Sequence, residues 1–170
     1  MSDDGEGQVA GQLAGFLPYQ LSVASNAVSD LIAERYRKRF ALKIPEWRVM
    51  AILGDHGASV GLNGGAGGAM TQRALTAATL MDKVAVNRAV KVLEERGLLG
   101  RVPNPVDGRS HLLELTREGR AIHAEVMPLA LATESELLAG LDPREVDTVR
   151  RVLSGLRDRA RRLVEGPGAG

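Results

Sequence analysis

The 170-residue chain has no cysteine, which excludes disulfides, thiolate metal sites and thiol redox sensing. Aromatics are scarce. One Trp, two Tyr and two Phe are present, as Phe16, Tyr19, Tyr36, Phe40 and Trp47, so the core beyond them must use Leu, Val, Ile, Ala and Met. No apolar run approaches the roughly 20 residues of a membrane span. The opening MSDDGEGQVAG has no basic stretch leading into an apolar one, so no secretory signal is predicted. A soluble, cytoplasmic protein is expected. Charge of one sign is lacking too: the net charge is +1, so total charge does not point to nucleic acid. Enzymatic constellations do not stand out either. There is no Ser/His/Asp spacing, no paired-carboxylate site, and no Lys-Ser/Thr closing the Gly-rich stretch as a phosphate loop. His56, His111 and His123 are far apart in the sequence, and without cysteine a structural zinc site is not expected. The chain is expected to be no enzyme and to need no metal or cofactor.

What is present is a 44% hydrophobic chain rich in helix formers, read as one domain with arms. Residues 1–15 are acidic and Gly-rich and read as a disordered tail, as do residues 166–170. Residues 16–42 hold a long amphipathic helix, with Leu21, Ala24, Val28, Leu31, Ile32, Tyr36 and Phe40 at three/four spacing. KIPEWRVMAILG predicts a second, short helix, with Pro45 in its first turn and Glu46 facing the positive end of its dipole. Residues 57–69 read as a flexible Gly-rich insertion between helices.

The most informative segment follows. Thr71 can cap a helix over QRALTAAT, with Met70 and Leu75 as a hydrophobic staple. After a short turn, Asp82 can cap KVAVNRAVKVLEER, which Gly97 is placed to end. Two capped helices across a short turn make a helix-turn-helix. Leu98 to Thr116 predict two short strands around the turn Asp107-Gly108-Arg109-Ser110, and so a small β-hairpin wing. Thr116 can cap the next helix, which Pro128 is expected to kink or break. Asp142-Pro143-Arg144-Glu145 restarts a last helix, in which Val146, Val149, Leu153, Leu156, Ala160 and Leu163 form a packing seam. That seam needs a partner, either the same chain or another copy.

On the second helix of the pair, Val86, Ala89, Val90 and Leu93 should be buried, leaving Lys83, Asn87, Arg88 and Lys91 outside. Asn can make two hydrogen bonds to adenine, and Arg or Lys can reach guanine, so such a face suits major-groove reading. Between Thr71 and Arg120 nine Lys/Arg stand against six acids, so the basic excess sits on this segment. The plain alternative is an ordinary solvated helix face. A helix-turn-helix followed by a hairpin is a winged helix, whose Arg109 suits the negative minor groove, with Asp107 fixing its direction or pairing with a neighbouring basic side chain. The plain alternative is a turn with an incidental surface ion pair.

The stretch MTQRALTAATLMDKVAVNRAVKVLEERGLLGRVPNPVDGRSHLLELTREGRA resembles the MarR family of bacterial transcription regulators. TQRAL, MDKVAVNRAVKVLEERGLL, the DGRS wing and LELTREG carry the likeness, with RFALKIPEWRVMAIL upstream. The resemblance implies a mainly α fold. Residues 43–116 would form a winged helix-turn-helix DNA-binding domain. Residues 16–42 and 117–165 would form the dimerisation region of a homodimer on double-stranded DNA. It further implies a regulator, most often a repressor in such proteins, released by a small effector. Lys83, Asn87, Arg88 and Lys91 are expected in the major groove and Arg109 in the minor groove. Asp107 would orient that arginine, and Thr71, Gln72 and Ser110 would help at phosphates. Similar proteins bind aromatic acids or phenols between dimer helices and lobe. Tyr36, Phe40, Trp47 and Arg48 are the matching candidates, with plain core packing as their other reading. Three rivals remain: a winged helix used only for protein contact, a helical enzyme using the aromatic cleft, and a metal-responsive regulator of the same fold.

Overall fold

The computed structural model describes residues 13–61 and 68–166. The chain divides into two compact units, Met1–Leu131 and Ala132–Gly170. The first unit holds α1 (Leu17–Phe40), α2 (Ile44–Gly61), β1 (Met70–Thr71), α3 (Gln72–Thr79) and α4 (Lys83–Glu95). It continues through β2 (Leu99–Pro103), β3 (His111–Leu115) and the start of α5 (Arg117–Leu138). The second unit holds the end of α5 and all of α6 (Pro143–Glu165).

The core of the first unit is aliphatic except at one corner. Leu75 of α3, Val86, Val90 and Leu93 of α4, and Leu113 and Leu115 of β3 pack with Val49, Met50 and Leu53 of α2. Each such side chain contributes roughly 1.5–3 kcal/mol by leaving water. Of α1, only the C-terminal end joins this core, through Ala33, Tyr36 and Phe40. Leu17, Leu21 and Val28, which belong to its apolar stripe or precede it, stay exposed in the chain.

Arg96, just past α4, ties three helices together. Its guanidinium donates to the open carbonyls of Phe40 (2.7 Å) and Ala41 (3.0 Å) at the end of α1. The buried carboxylate of Glu46 lies 3.9 Å from the same guanidinium and accepts from the Lys43 N–H at 2.9 Å, capping α2. Sequence reading had counted Arg96 only as charge.

Four local expectations differ from the structure. Residues 13–15 are helical rather than disordered, with a Phe16 N–H to Leu13 carbonyl bond of 3.0 Å closing the turn; residues 1–12 and 167–170 lie outside the described residues. Helix α2 does not stop near Gly54 but runs 18 residues to Gly61, into the predicted insertion. Glycine costs a helix only about 1 kcal/mol per residue, so Gly54 and Gly57 weaken the ladder without ending it. Residues 62–67 of that insertion lie outside the described residues. The hairpin gains a third strand: Met70 pairs with Leu113 and Thr71 with Leu112, giving the antiparallel order β1-β3-β2. Finally, of the kink or break expected at Pro128, the break does not occur: α5 runs continuously through it. Val126 is buried there, and Met127, Leu129 and Ala130 pack on the core, which offsets the hydrogen bond that proline removes.

In the second unit, Asp142 and Glu145 form a reciprocal capping box at the start of α6. Arg150 pairs with Glu134 at 3.3 Å. No residue of α6 is buried.

Candidate nucleic-acid interface

The helix-turn-helix is held by short-range bonds that its sequence dictates. Thr71 Oγ1 accepts from the Ala74 N–H at 3.1 Å and starts α3. Leu80 ends it in the left-handed region (φ 54°, ψ 26°), and Asp82 Oδ1 starts α4 by accepting from the Ala85 N–H at 2.8 Å. At the far end, Gly97 N–H bonds the Glu94 carbonyl and Leu98 N–H the Leu93 carbonyl, both at 2.9 Å. This paired closure requires the positive φ of Gly97, 68°. The next helix is seated by a close approach: a Cβ at Gly119 would overlap the Leu98 carbonyl oxygen.

With its apolar stripe buried, α4 presents Lys83, Asn87, Arg88 and Lys91 to solvent, as the sequence spacing predicts. Gln72 Nε2, at the start of α3, donates to Asn87 Oδ1 and fixes the direction of that amide. Gln72, Arg73, Thr76 and Ala77 of α3 and Lys83 and Asn87 of α4 line a shallow cavity of about 580 Å³. Lys91 lies 3.8 Å from Glu95, an exposed pair worth little. Arg101 of β2 is committed elsewhere: its guanidinium donates to both oxygens of Glu94, at 2.5 and 3.1 Å. That hydrogen bonding raises its already high pKa and cancels its charge on this face.

The turn between β2 and β3 is built by side chains. Asp107 Oδ1 accepts from the backbone N–H of Arg109 at 3.1 Å, and its carbonyl accepts from the Ser110 N–H at 3.0 Å. Ser110 Oγ donates to the same carbonyl at 3.2 Å and accepts from Asn104 Nδ2 at 2.8 Å. Asp107 therefore positions Arg109 through its main chain and makes no ion pair with the guanidinium. The Arg109 side chain is exposed and has no hydrogen-bond or ion-pair partner among the described residues. A free cation at the tip of an ordered two-stranded finger is the arrangement a minor groove attracts.

The aromatic candidates gather in the core of the first unit. Tyr36, Phe40 and Trp47 are buried in the core. The Tyr36 and Trp47 rings are 5.7 Å apart at 43°, and Trp47 stacks on His123 of α5 at 5.7 Å and 26°. Burial pushes the Tyr36 phenol up to about 12. Arg48 is half-buried and donates to Ser29 Oγ at 3.2 Å. The sequence shows His123 only as one of three scattered histidines and does not place it beside Trp47. Its Nε2 is buried without a hydrogen-bond partner, and burial lowers its pKa against the opposing pull of Asp55. Gly54 makes room for it, since a Cβ there would overlap the imidazole. The only sequence signal was a histidine two helical turns before the end of the packed part of α5, too weak to pair with Trp47 in advance.

Among the described residues no three His, Asp or Glu side chains are grouped to hold a metal ion. None of the described helices is long and apolar enough to cross a membrane.

Comparison with known proteins agrees with this geometry. Residues 42–110, from just before α2 to the wing tip, match the sequence profile of the MarR family. A MarR family transcriptional regulator of known structure from Silicibacter pomeroyi DSS-3 is 30% identical. The match covers 85% of this chain and 96% of that one, with a TM-score of 0.66. BpsR of Bordetella bronchiseptica, whose DNA binding is regulated by 6-hydroxynicotinic acid, is 23% identical over 85% of this chain and 95% of its own, with a TM-score of 0.71. CouR of Rhodococcus jostii RHA1, solved with p-coumaroyl-CoA bound, is 22% identical over 85% and 93%, with a TM-score of 0.70. The last two share the fold. The first, with the profile match, establishes kinship: the chain belongs to the MarR family of transcriptional regulators.

Proposed function

We propose that the protein is a homodimeric repressor that binds a pseudo-palindromic operator and is released by a small aromatic effector. The observation that carries the DNA reading is the pairing of an exposed amide and cation face on α4 with an exposed Arg109 on the wing that has no partner among the described residues. Lys83, Asn87, Arg88 and Lys91 face the major groove. Arg109 enters the minor groove, aimed by Asp107 through the turn. Thr71, Gln72 and Ser110 stand beside phosphates and hold α3, Asn87 and the wing in place.

Dimerisation follows from the second unit. The exposed seam of α6 and the exposed first half of α1 suit a second copy, so residues 16–42 and 117–165 form the dimerisation region in this reading. Two lobes about 34 Å apart would meet successive major grooves. The effector reading is supported by the regulation of BpsR by 6-hydroxynicotinic acid, by the p-coumaroyl-CoA bound to CouR, and by the Tyr36, Phe40 and Trp47 cluster with Arg48 beside it. A ligand preferring another lobe spacing would shift the population away from DNA.

The test is a footprint on DNA upstream of the protein's own gene, repeated with a panel of aromatic acids. Protection is expected, lost with one compound and weakened by Arg109→Ala without change of oligomeric state. No binding by wild-type protein even at low salt would favour a winged helix used for protein contact.

A further inference from the structure

We propose that Val84 reads the 5-methyl group of a thymine in the major groove, beside the base contacted by Asn87. The inference deepens the DNA-binding reading above and rests on it. Four valines lie on α4. Val86 and Val90 are fully buried and Val92 is half-buried, so the core stripe of the helix is complete without the fourth. Val84 is 57% exposed, at the second residue after the Asp82 cap. A β-branched side chain there lowers helix propensity relative to Ala or Lys and gains nothing in the free protein.

Its place on the helix gives it a use. Val84, Asn87, Arg88 and Lys91 stand at i, i+3, i+4 and i+7 and share one face, otherwise made of an amide and cations. Helix-turn-helix motifs direct the first residues of their second helix at base edges. The only apolar group on the major-groove edge of a base pair is the thymine C5-methyl. A side chain with no polar atom can gain from that methyl, whereas a cytosine or adenine edge before it would lose water without a replacement bond. Three residues of helix rise about 4.5 Å and a base step about 3.4 Å, so Val84 and Asn87 face neighbouring base pairs. Gln72 donates to Asn87 Oδ1 and so sets the direction of the amide that, in this proposal, reads the adenine beside that thymine. Leu80 and Val106 are also exposed, but they lie in the turn before α4 and in the wing, off this face.

Duplexes enriched from a randomised library by the full-length protein supply the probe. Each thymine of the enriched half-site is then replaced by deoxyuridine, which removes only the methyl. One replacement, next to an adenine, is expected to weaken wild-type binding about fourfold per half-site, which is about 0.8 kcal/mol for one buried apolar group. The same replacement is expected to leave Val84→Ala unchanged, while Val84→Thr, which keeps one methyl, retains part of the discrimination. Both variants are checked by thermal melting, and alanine at an exposed helical site is expected to preserve the fold. Tight wild-type binding to every deoxyuridine duplex overturns the inference. So does a methyl penalty that survives in Val84→Ala. Enrichment of no sequence at all removes the DNA-reading function itself, and Val84 with it.

Discussion

Helices α4 and α6 are both amphipathic and both begin at an aspartate cap, yet only α4 buries its apolar stripe. On α4, Val86, Ala89, Val90 and Leu93 are closed against α2, α3 and the sheet. On α6, Val149, Val152, Leu153, Leu156 and Leu163 remain exposed. Periodicity therefore tells that a helix has an inner face. It does not tell whether the other side of that face belongs to the same chain. The local signals of the two helices agree, so the difference must come from what surrounds them. α4 is enclosed by other elements of its own unit, whereas α6 is left with a seam of the coiled-coil kind that a second copy can complete.

Breaking the seam should give the largest effect. The double variant Leu153→Glu/Leu156→Glu places charge on both sides of it and is expected to yield monomers by light scattering. DNA binding should then weaken by about 10²–10⁴-fold, because the second half-site is no longer held at high effective concentration. The variant should keep the lobe's thermal transition, since neither residue is buried in the chain. Unchanged mass would sink the dimer assignment. The matching change on α4, Leu93→Ala, should act oppositely. It leaves assembly alone but destabilises the lobe by about 2–5 kcal/mol in urea, because Leu93 is fully buried.

How far the sequence revealed these features depends on how local their causes are. Thr71, Asp82, Thr116 and Asp142 could be read as caps because each acts within three residues of its own helix start. The outer face of α4 was legible for a related reason, since fixing four buried positions fixes the exposed ones. Arg96 was not legible: its partners, Phe40, Ala41 and Glu46, are brought to it only by the fold. The two residues of β1 could not be seen either, because Met70 and Thr71 become a strand only by pairing with Leu113 and Leu112. At the wing, the sequence placed Asp107 and Arg109 together and left open whether the acid orients the arginine or only forms a surface ion pair. The turn satisfies the carboxylate with a backbone N–H, which leaves the guanidinium without a protein partner among the described residues, open to a phosphate or a base.

The two caps sharpen the comparison at a smaller scale. Asp82→Ala and Asp142→Ala each remove a side-chain bond to a backbone N–H and should each cost about 1 kcal/mol. The first should appear as a shift in lobe stability that does not depend on protein concentration. The second should grow as the protein is diluted, because in the proposed dimer a weakened α6 weakens the assembly. Equal, concentration-independent shifts would mean that α6 is stabilised within its own chain.

The smallest effect belongs to the turn that aims α4. Leu80 adopts φ 54° and is 72% exposed, so its side chain gains little burial while its backbone bears the left-handed penalty of about 1–2 kcal/mol. Leu80→Gly removes that penalty but adds freedom to the unfolded chain, worth about 0.4–1 kcal/mol in the opposite direction. The net expectation is a gain of up to about 1 kcal/mol in urea, with α4 still capped by Asp82. A loss of stability in Leu80→Gly would instead show that the leucine is held by packing. The turn would then be set by its side chain and not by the two helix ends it joins.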